Sequence, residues 1–153
     1  MKIYLAADHA GFELKEKIKK YLEDLKYEIK DFGAFQFEPE DDYPDFVRKA
    51  AEAVANDPER SRGVIIGGSG QGEAIIANRF SGIRAVVCDD NRDLENKIKA
   101  WREHTNSNVL SFGARFIDEN SALKAVKMWL ETPFTNEPRH ARRLEKIEKL
   151  PTS

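Results

Sequence analysis

Gly63-Val64-Ile65-Ile66-Gly67-Gly68-Ser69-Gly70-Gln71-Gly72-Glu73-Ala74-Ile75-Ile76-Ala77 decides how this chain folds. An apolar strand runs into a loop holding four glycines, and the loop opens a helix. The glycines let the backbone turn tightly and bring its N–H groups against a ligand, with the amino end of the helix behind them. Two phosphate-binding patterns are excluded. A Walker loop needs Lys and a hydroxyl after its last glycine, where this chain has Glu73 and Ala74. The dinucleotide fingerprint needs G-x-G-x-x-G after an opening strand, whereas Gly68, Gly70 and Gly72 recur every second residue in mid-chain. Glu73 repels phosphate. At a helix amino end the dipole would hold its carboxylate ionised, as suits a general base; the alternative is an ordinary first-turn Glu facing water.

Outward from this stretch, strands and helices alternate. Lys2 to Ala7 is a strand, and Phe12 to Leu25 a helix with Leu14, Ile18, Leu22 and Leu25 at helical spacing. Tyr27 to Phe32 is a second strand, and Pro44 stands in the first turn of a helix through Val54. After the glycine loop come a helix from Glu73 to Arg79, a strand from Ile83 to Cys88 and a charged helix from Asp93 to Glu103. A fifth strand, Asn108 to Phe112, precedes a helix from Ser121 to Leu130, and a tail helix occupies about 138–150. The expected fold is α/β: a Rossmann-like or flavodoxin-like three-layer sandwich with a five-stranded parallel sheet, in one domain over 1–153.

In such sheets ligands bind beyond the carboxyl ends of the strands. Asp8 and His9 follow the first strand, Asp41, Asp42 and Tyr43 precede the second helix, Asp89 and Asp90 follow the fourth strand, and Arg115 follows the fifth. On the tail helix Arg139 and Arg143, four residues apart, share a face and match the planar donors a phosphate monoester needs; a solvated basic face is the alternative. A net charge of −2 gives no basic character for nucleic acid or an anionic membrane, and no apolar run is long enough to cross a bilayer. The single Cys88 and the strand-like start lead to the expectation of a reducing, cytoplasmic setting. His9, His104 and His140 lack the short spacing to carboxylates of a metal site, so none is expected.

Ala7-Asp8-His9-Ala10-Gly11, Gly68-Ser69-Gly70-Gln71-Gly72, Ala77-Asn78-Arg79-Phe80-Ser81-Gly82-Ile83-Arg84-Ala85 and Asn108-Val109-Leu110-Ser111-Phe112-Gly113-Ala114-Arg115 closely resemble the type B ribose-5-phosphate isomerases, whose broader family includes galactose-6-phosphate isomerase subunits. The resemblance implies a cofactor-free aldose–ketose isomerase of a sugar phosphate, working as a homodimer or homotetramer with active sites between subunits. It assigns Asp8 to the sugar and its ring oxygen, His9 to the phosphate end, Tyr43 to substrate contact and His104 to ring opening. Arg115, Arg139, His140 and Arg143 match phosphate-binding positions, some reaching across the interface. Gly68, Ser69, Gly70 and Gly72 would hold sugar oxygens, Ser69 and the loop N–H groups the developing enediolate.

Two positions depart from the common pattern. Many members carry their base as a Cys where this chain has Gly67; a subgroup with Gly-Ser-Gly-x-Gly-Glu uses the Glu, which points to Glu73. Cys88, inside a strand, reads as a buried structural thiol. Thr105 stands where Asn usually follows the ring-opening His, offering a hydroxyl in place of an amide. D-ribose 5-phosphate is the expected substrate. The alternatives are galactose 6-phosphate, allose 6-phosphate or a tetrose phosphate, and a non-catalytic phosphate-ligand module on the same fold.

Overall fold

The computed structural model describes residues 1–151; positions 152 and 153, part of the expected single-domain span, lie outside the described residues. Five strands form the middle layer: β1 Lys2–Ala7, β2 Glu28–Asp31, β3 Ser61–Gly67, β4 Ala85–Cys88 and β5 Val109–Gly113. The helices are α1 Phe12–Asp24, α2 Pro44–Asn56, α3 Gln71–Ala77, α4 Leu94–Glu103, α5 Glu119–Glu131 and α6 Pro138–Glu148. Local chemistry sets several boundaries. Pro44 and Pro138 occupy first-turn positions where a missing N–H costs nothing, and the Asp118 side chain caps α5 by accepting from the Ser121 N–H.

All pairings are parallel, in the order β2-β1-β3-β5-β4. Alternate side chains of each strand feed opposite cores. Ile3, Leu5, Val64, Ile66, Leu110 and Phe112 pack with Ile18, Leu22, Ile98, Val126 and Trp129 of α1, α4 and α5. Ala6, Ile65 and Val109 pack on the other face with Val47, Ala50, Val54 and Ala77 of α2 and α3. Right-handed crossovers account for this division: steps from β1 to β2 and from β4 to β5 go one way across the sheet, steps from β2 to β3 and from β3 to β4 the other. Neighbouring strands β1 and β3 therefore send their helices to opposite faces. That leaves a crevice beyond their carboxyl ends, the topological switch point where α/β sheets take ligands.

At the opposite, amino end of the sheet, helices α2, α4 and α5 finish, and three arginines donate to carbonyls of the segments that follow these helices. Arg62 Nη1 donates to Pro58 O (3.3 Å), Arg84 Nε to Asn106 O (2.9 Å) and Arg102 Nε to Thr132 O (2.9 Å). Arg102 is 4% exposed, and burial with the Arg62 and Arg84 charges lowers its pKa to about 10. α6 crosses this same end. It is anchored by Arg84 to Glu148 (2.9 Å) and by buried His140, whose ring stacks on that of His104 at 4.3 Å.

Candidate active site

The glycine loop is tied to the sheet on both sides. Ala114 N donates to Gly67 O at 2.8 Å and Arg115 N to Gly68 O at 3.1 Å, extending the β3–β5 pairing beyond the strands and drawing Arg115 over the loop. Ser111 Oγ donates to Gly70 O at 2.6 Å, and Gly70 adopts φ 76, a left-handed conformation that turns the chain into α3. Tyr43, at the start of α2, lies so close to Gly72 that a Cβ there would overlap its hydroxyl. After β1, Asp8 Oδ1 accepts from the Ala10 and Gly11 N–H groups at 3.0 and 3.3 Å, so one oxygen holds the turn into α1.

These loops enclose a cavity of about 310 Å³ lined by Asp8, His9, Tyr43, Gly68, Ser69, Gly72, Glu73 and Arg115. Gly70 is not among the lining residues; it turns the loop behind them, its carbonyl held by Ser111 Oγ. Glu73 is 3% exposed, and its carboxylate fills the volume a side chain at position 67 would need: a Cβ built on Gly67 collides with Glu73 Oε1 and Cδ. The Glu73 pKa is raised, by burial first and also by the Asp8 charge, over the opposing backbone hydrogen bond. α3 has only seven residues, and loss of water around the buried carboxylate raises its pKa where the helix dipole alone would lower it.

The other expected site residues stand apart. His104 caps the carboxyl end of α4, Thr105 follows it, and Arg139, His140 and Arg143 lie on α6, all at the amino end of the sheet. Burial, then the His104 and Arg139 charges, lower the pKa of His140. Arg139 Nη2 reaches Glu137 at 3.2 Å; Arg143 has no carboxylate partner among the described residues. One chain thus carries two polar clusters at opposite ends of its strands.

The family profile described as Ribose/Galactose Isomerase matches residues 3–147. The chain belongs to this family. It is 40% identical over 145 residues to ribose-5-phosphate isomerase B of Mycolicibacterium paratuberculosis, covering 95% of this chain and 88% of the relative. The crystal structure of ribose-5-phosphate isomerase B from Mycoplasma genitalium with bound ribulose-5-phosphate has a TM-score of 0.91 at 32% identity, covering 97% of this chain and 94% of that one. The Clostridium thermocellum ribose-5-phosphate isomerase B gives 0.89 at 40% identity, covering 97% and 96%.

As a ribose/galactose isomerase, the chain draws attention to its thiol. Cys88 is 1% exposed, and burial pushes its pKa up to about 12, so it is no base at neutral pH. Thr105 Oγ donates to Trp101 O at 2.5 Å, which commits the hydroxyl proton to its own helix. Asp8, His9 and Asp41 bring three side-chain polar atoms within 4.8 Å of one another, a grouping that the spacing of the histidines does not show. Sequence spacing missed this because Asp41 arrives from 32 residues away, its Oδ1 accepting from His9 N at 3.0 Å and standing 2.7 Å from His9 Nδ1. Its neighbour Tyr43, in the same polar loop, was the available signal.

Proposed function

We propose that this chain is a cofactor-free aldose–ketose isomerase converting D-ribose 5-phosphate to D-ribulose 5-phosphate, in the subgroup that uses Glu in place of Cys. One observation carries the reading: the Glu73 carboxylate is buried in the cavity, in the volume that a side chain at position 67 would occupy. Glu73 takes the proton from C2 and returns it to C1, while a proton passes between the two oxygens, so aldehyde and ketone interchange through an enediolate without redox exchange. Its raised pKa suits this role, since burial makes the carboxylate a stronger base toward the carbon-bound proton than an exposed one. Ser69 and the loop N–H groups stabilise the enediolate oxygen as charge develops. His104 with Asp8 opens the furanose. Arg115, Arg139, His140, Arg143 and His9 take the phosphate, and Tyr43 and Thr105 contact the sugar.

Such a site needs two copies of the chain. A strand of five to seven residues spans roughly 20 Å, too far for the His104–Arg143 cluster to meet Glu73 of its own chain. A two-fold pairing that sets the amino end of one protomer against the carboxyl end of its partner joins the clusters twice over. The protein is accordingly a homodimer, or a homotetramer built from such pairs.

The test is a panel of aldose phosphates in D₂O. Ribose 5-phosphate should be turned over fastest, with solvent deuterium entering the product carbon. Negligible ribose 5-phosphate turnover beside fast turnover of galactose, allose or tetrose phosphate would change the substrate, and Thr105, with its committed hydroxyl, is the first position to alter. Binding without exchange would leave a non-catalytic module.

A further inference from the structure

The loop between β2 and α2 brings against His9, a lining residue of the cavity, a carboxylate that the proposed reaction does not use. Asp41 is held with its side chain 9% exposed, and both hydrogen bonds to its Oδ1 come from His9, one from the backbone N–H at 3.0 Å and one involving Nδ1 at 2.7 Å. Asp41 Oδ2 is buried with no hydrogen-bond partner among the described residues. A carboxylate in that condition gains most from a cation beside it, and the imidazole is the group in contact. The Phe37 ring stands edge-on to His9 at 6.2 Å and limits how the imidazole can turn. With Nδ1 committed to Asp41, Nε2 is the ring nitrogen left for the cavity that His9 shares with Glu73 and Arg115.

We propose that Asp41 is a positioning residue: it fixes the His9 imidazole with Nδ1–H on its carboxylate and keeps the ring cationic, so that Nε2–H donates to the phosphate of the substrate. The proposal rests on the sugar-phosphate reading above. The neutral ring in the same tautomer would present a bare Nε2 lone pair to the phosphate oxygens and repel them, so phosphate affinity follows the charge on His9. The charged groups facing His9 are Asp41 from the loop, Asp8 from the end of β1 and Arg115 beyond β5, with Glu73 and Tyr43 across the cavity. The His9 pKa is raised, chiefly by the Asp41 hydrogen bond against the opposing effect of burial, then by the Asp8 and Asp41 charges, with Arg115 opposing. Loss of the Asp41 charge moves the His9 titration down.

The experiment compares the wild type with Asp41→Asn, which keeps shape and removes charge, and with exposed Asp42→Asn as control. Long-range ¹H–¹⁵N spectra of the substrate-free protein read the His9 tautomer and titration directly. The wild type should show the Nδ1–H form titrating above the ordinary imidazole range, and Asp41→Asn a lower titration. In kinetics, Asp41→Asn should raise KM about tenfold at pH 7, with kcat little changed and the alkaline rise of KM moved to lower pH. In a His9→Gln background it should add nothing. An unchanged His9 titration in Asp41→Asn overturns the proposal, as does a zinc-dependent loss of the His9 signal at stoichiometric metal, which would make the trio a metal site. A wild type that shows the predicted His9 titration but turns over no sugar phosphate defeats the functional reading and leaves the Asp41–His9 pairing standing.

Discussion

Glu73 and the side chain that position 67 lacks compete for one volume, and the residue-scale predictions follow from that. Gly67→Cys should misfold the loop or displace Glu73, lowering kcat at least 100-fold although it supplies the thiol many relatives use, because a Cβ there collides with the Glu73 carboxylate. Gly67→Cys with Glu73→Ala, which empties the volume first, should recover activity over the single variant, measured as initial isomerisation rates. Glu73→Gln should lower kcat about 10³-fold while leaving phosphate affinity intact. It should also stabilise the protein at neutral pH. A carboxyl whose folded pKa is raised favours the folded state while protonated and loses that contribution as pH rises from its ordinary value through the folded one, so an amide removes a cost present at pH 7. Thermal melts at pH 4.5 and pH 7.5 check the sign: the gap between variant and wild type widens at the higher pH. Glu73 itself was legible in the sequence, since the loop and the missing thiol pointed to it. Its protonation behaviour was not, because burial is a property of the packed loops; nor was Asp41, whose role exists only once a loop closes over β1.

At the scale of elements, the strand-to-helix alternation was readable to within a few residues everywhere: β1 and the starts of α1, α2 and α6 fall where the apolar period and the prolines place them. β3 and α3 extend further toward each other than expected, Ser61–Gly67 and Gln71–Ala77, because strand pairing and helix hydrogen bonding run into the glycines from both sides. The order β2-β1-β3-β5-β4 was not readable, since alternation says nothing of which neighbour a strand takes. One ion pair fixes an element that sequence patterning left unexplained. Lys15 of α1 has its side chain fully buried and reaches Asp31 at the end of β2 at 2.7 Å, while Asp31 also accepts from the Gly33 N–H at 2.8 Å. Burial pushes the Asp31 pKa up, yet the Lys15 hydrogen bond, with those from Gly33 and Lys19, brings it below the ordinary value. Lys15→Met should cost about 3 kcal/mol in urea unfolding at pH 7, since it leaves a buried carboxylate with Lys19 as its remaining cation. The Asp31 contribution is present above the ordinary carboxylate range and lost as pH falls through the lowered folded value, so the gap between wild type and variant should narrow in acid.

For the whole molecule, the parallel sheet is what separates the two clusters. Residues that follow strands collect at one end, with Asp8, Glu73 and Arg115; residues that follow helices collect at the other, with His104, Thr105 and the α6 arginines. The sequence resemblance implied active sites between subunits, with some phosphate-binding residues reaching across the interface; the fold adds which residues lie at which end of the sheet. Joining them between two protomers is the central claim, and subunit mixing tests it. Glu73→Gln and Arg143→Ala homodimers should each be nearly inactive. Unfolded together in equal amounts and refolded, they should regain about a quarter of wild-type turnover, because half the dimers are mixed and each mixed dimer rebuilds one intact site of two. No activity above that of the separate variants, in dimers shown by mass to be mixed, would contradict the account.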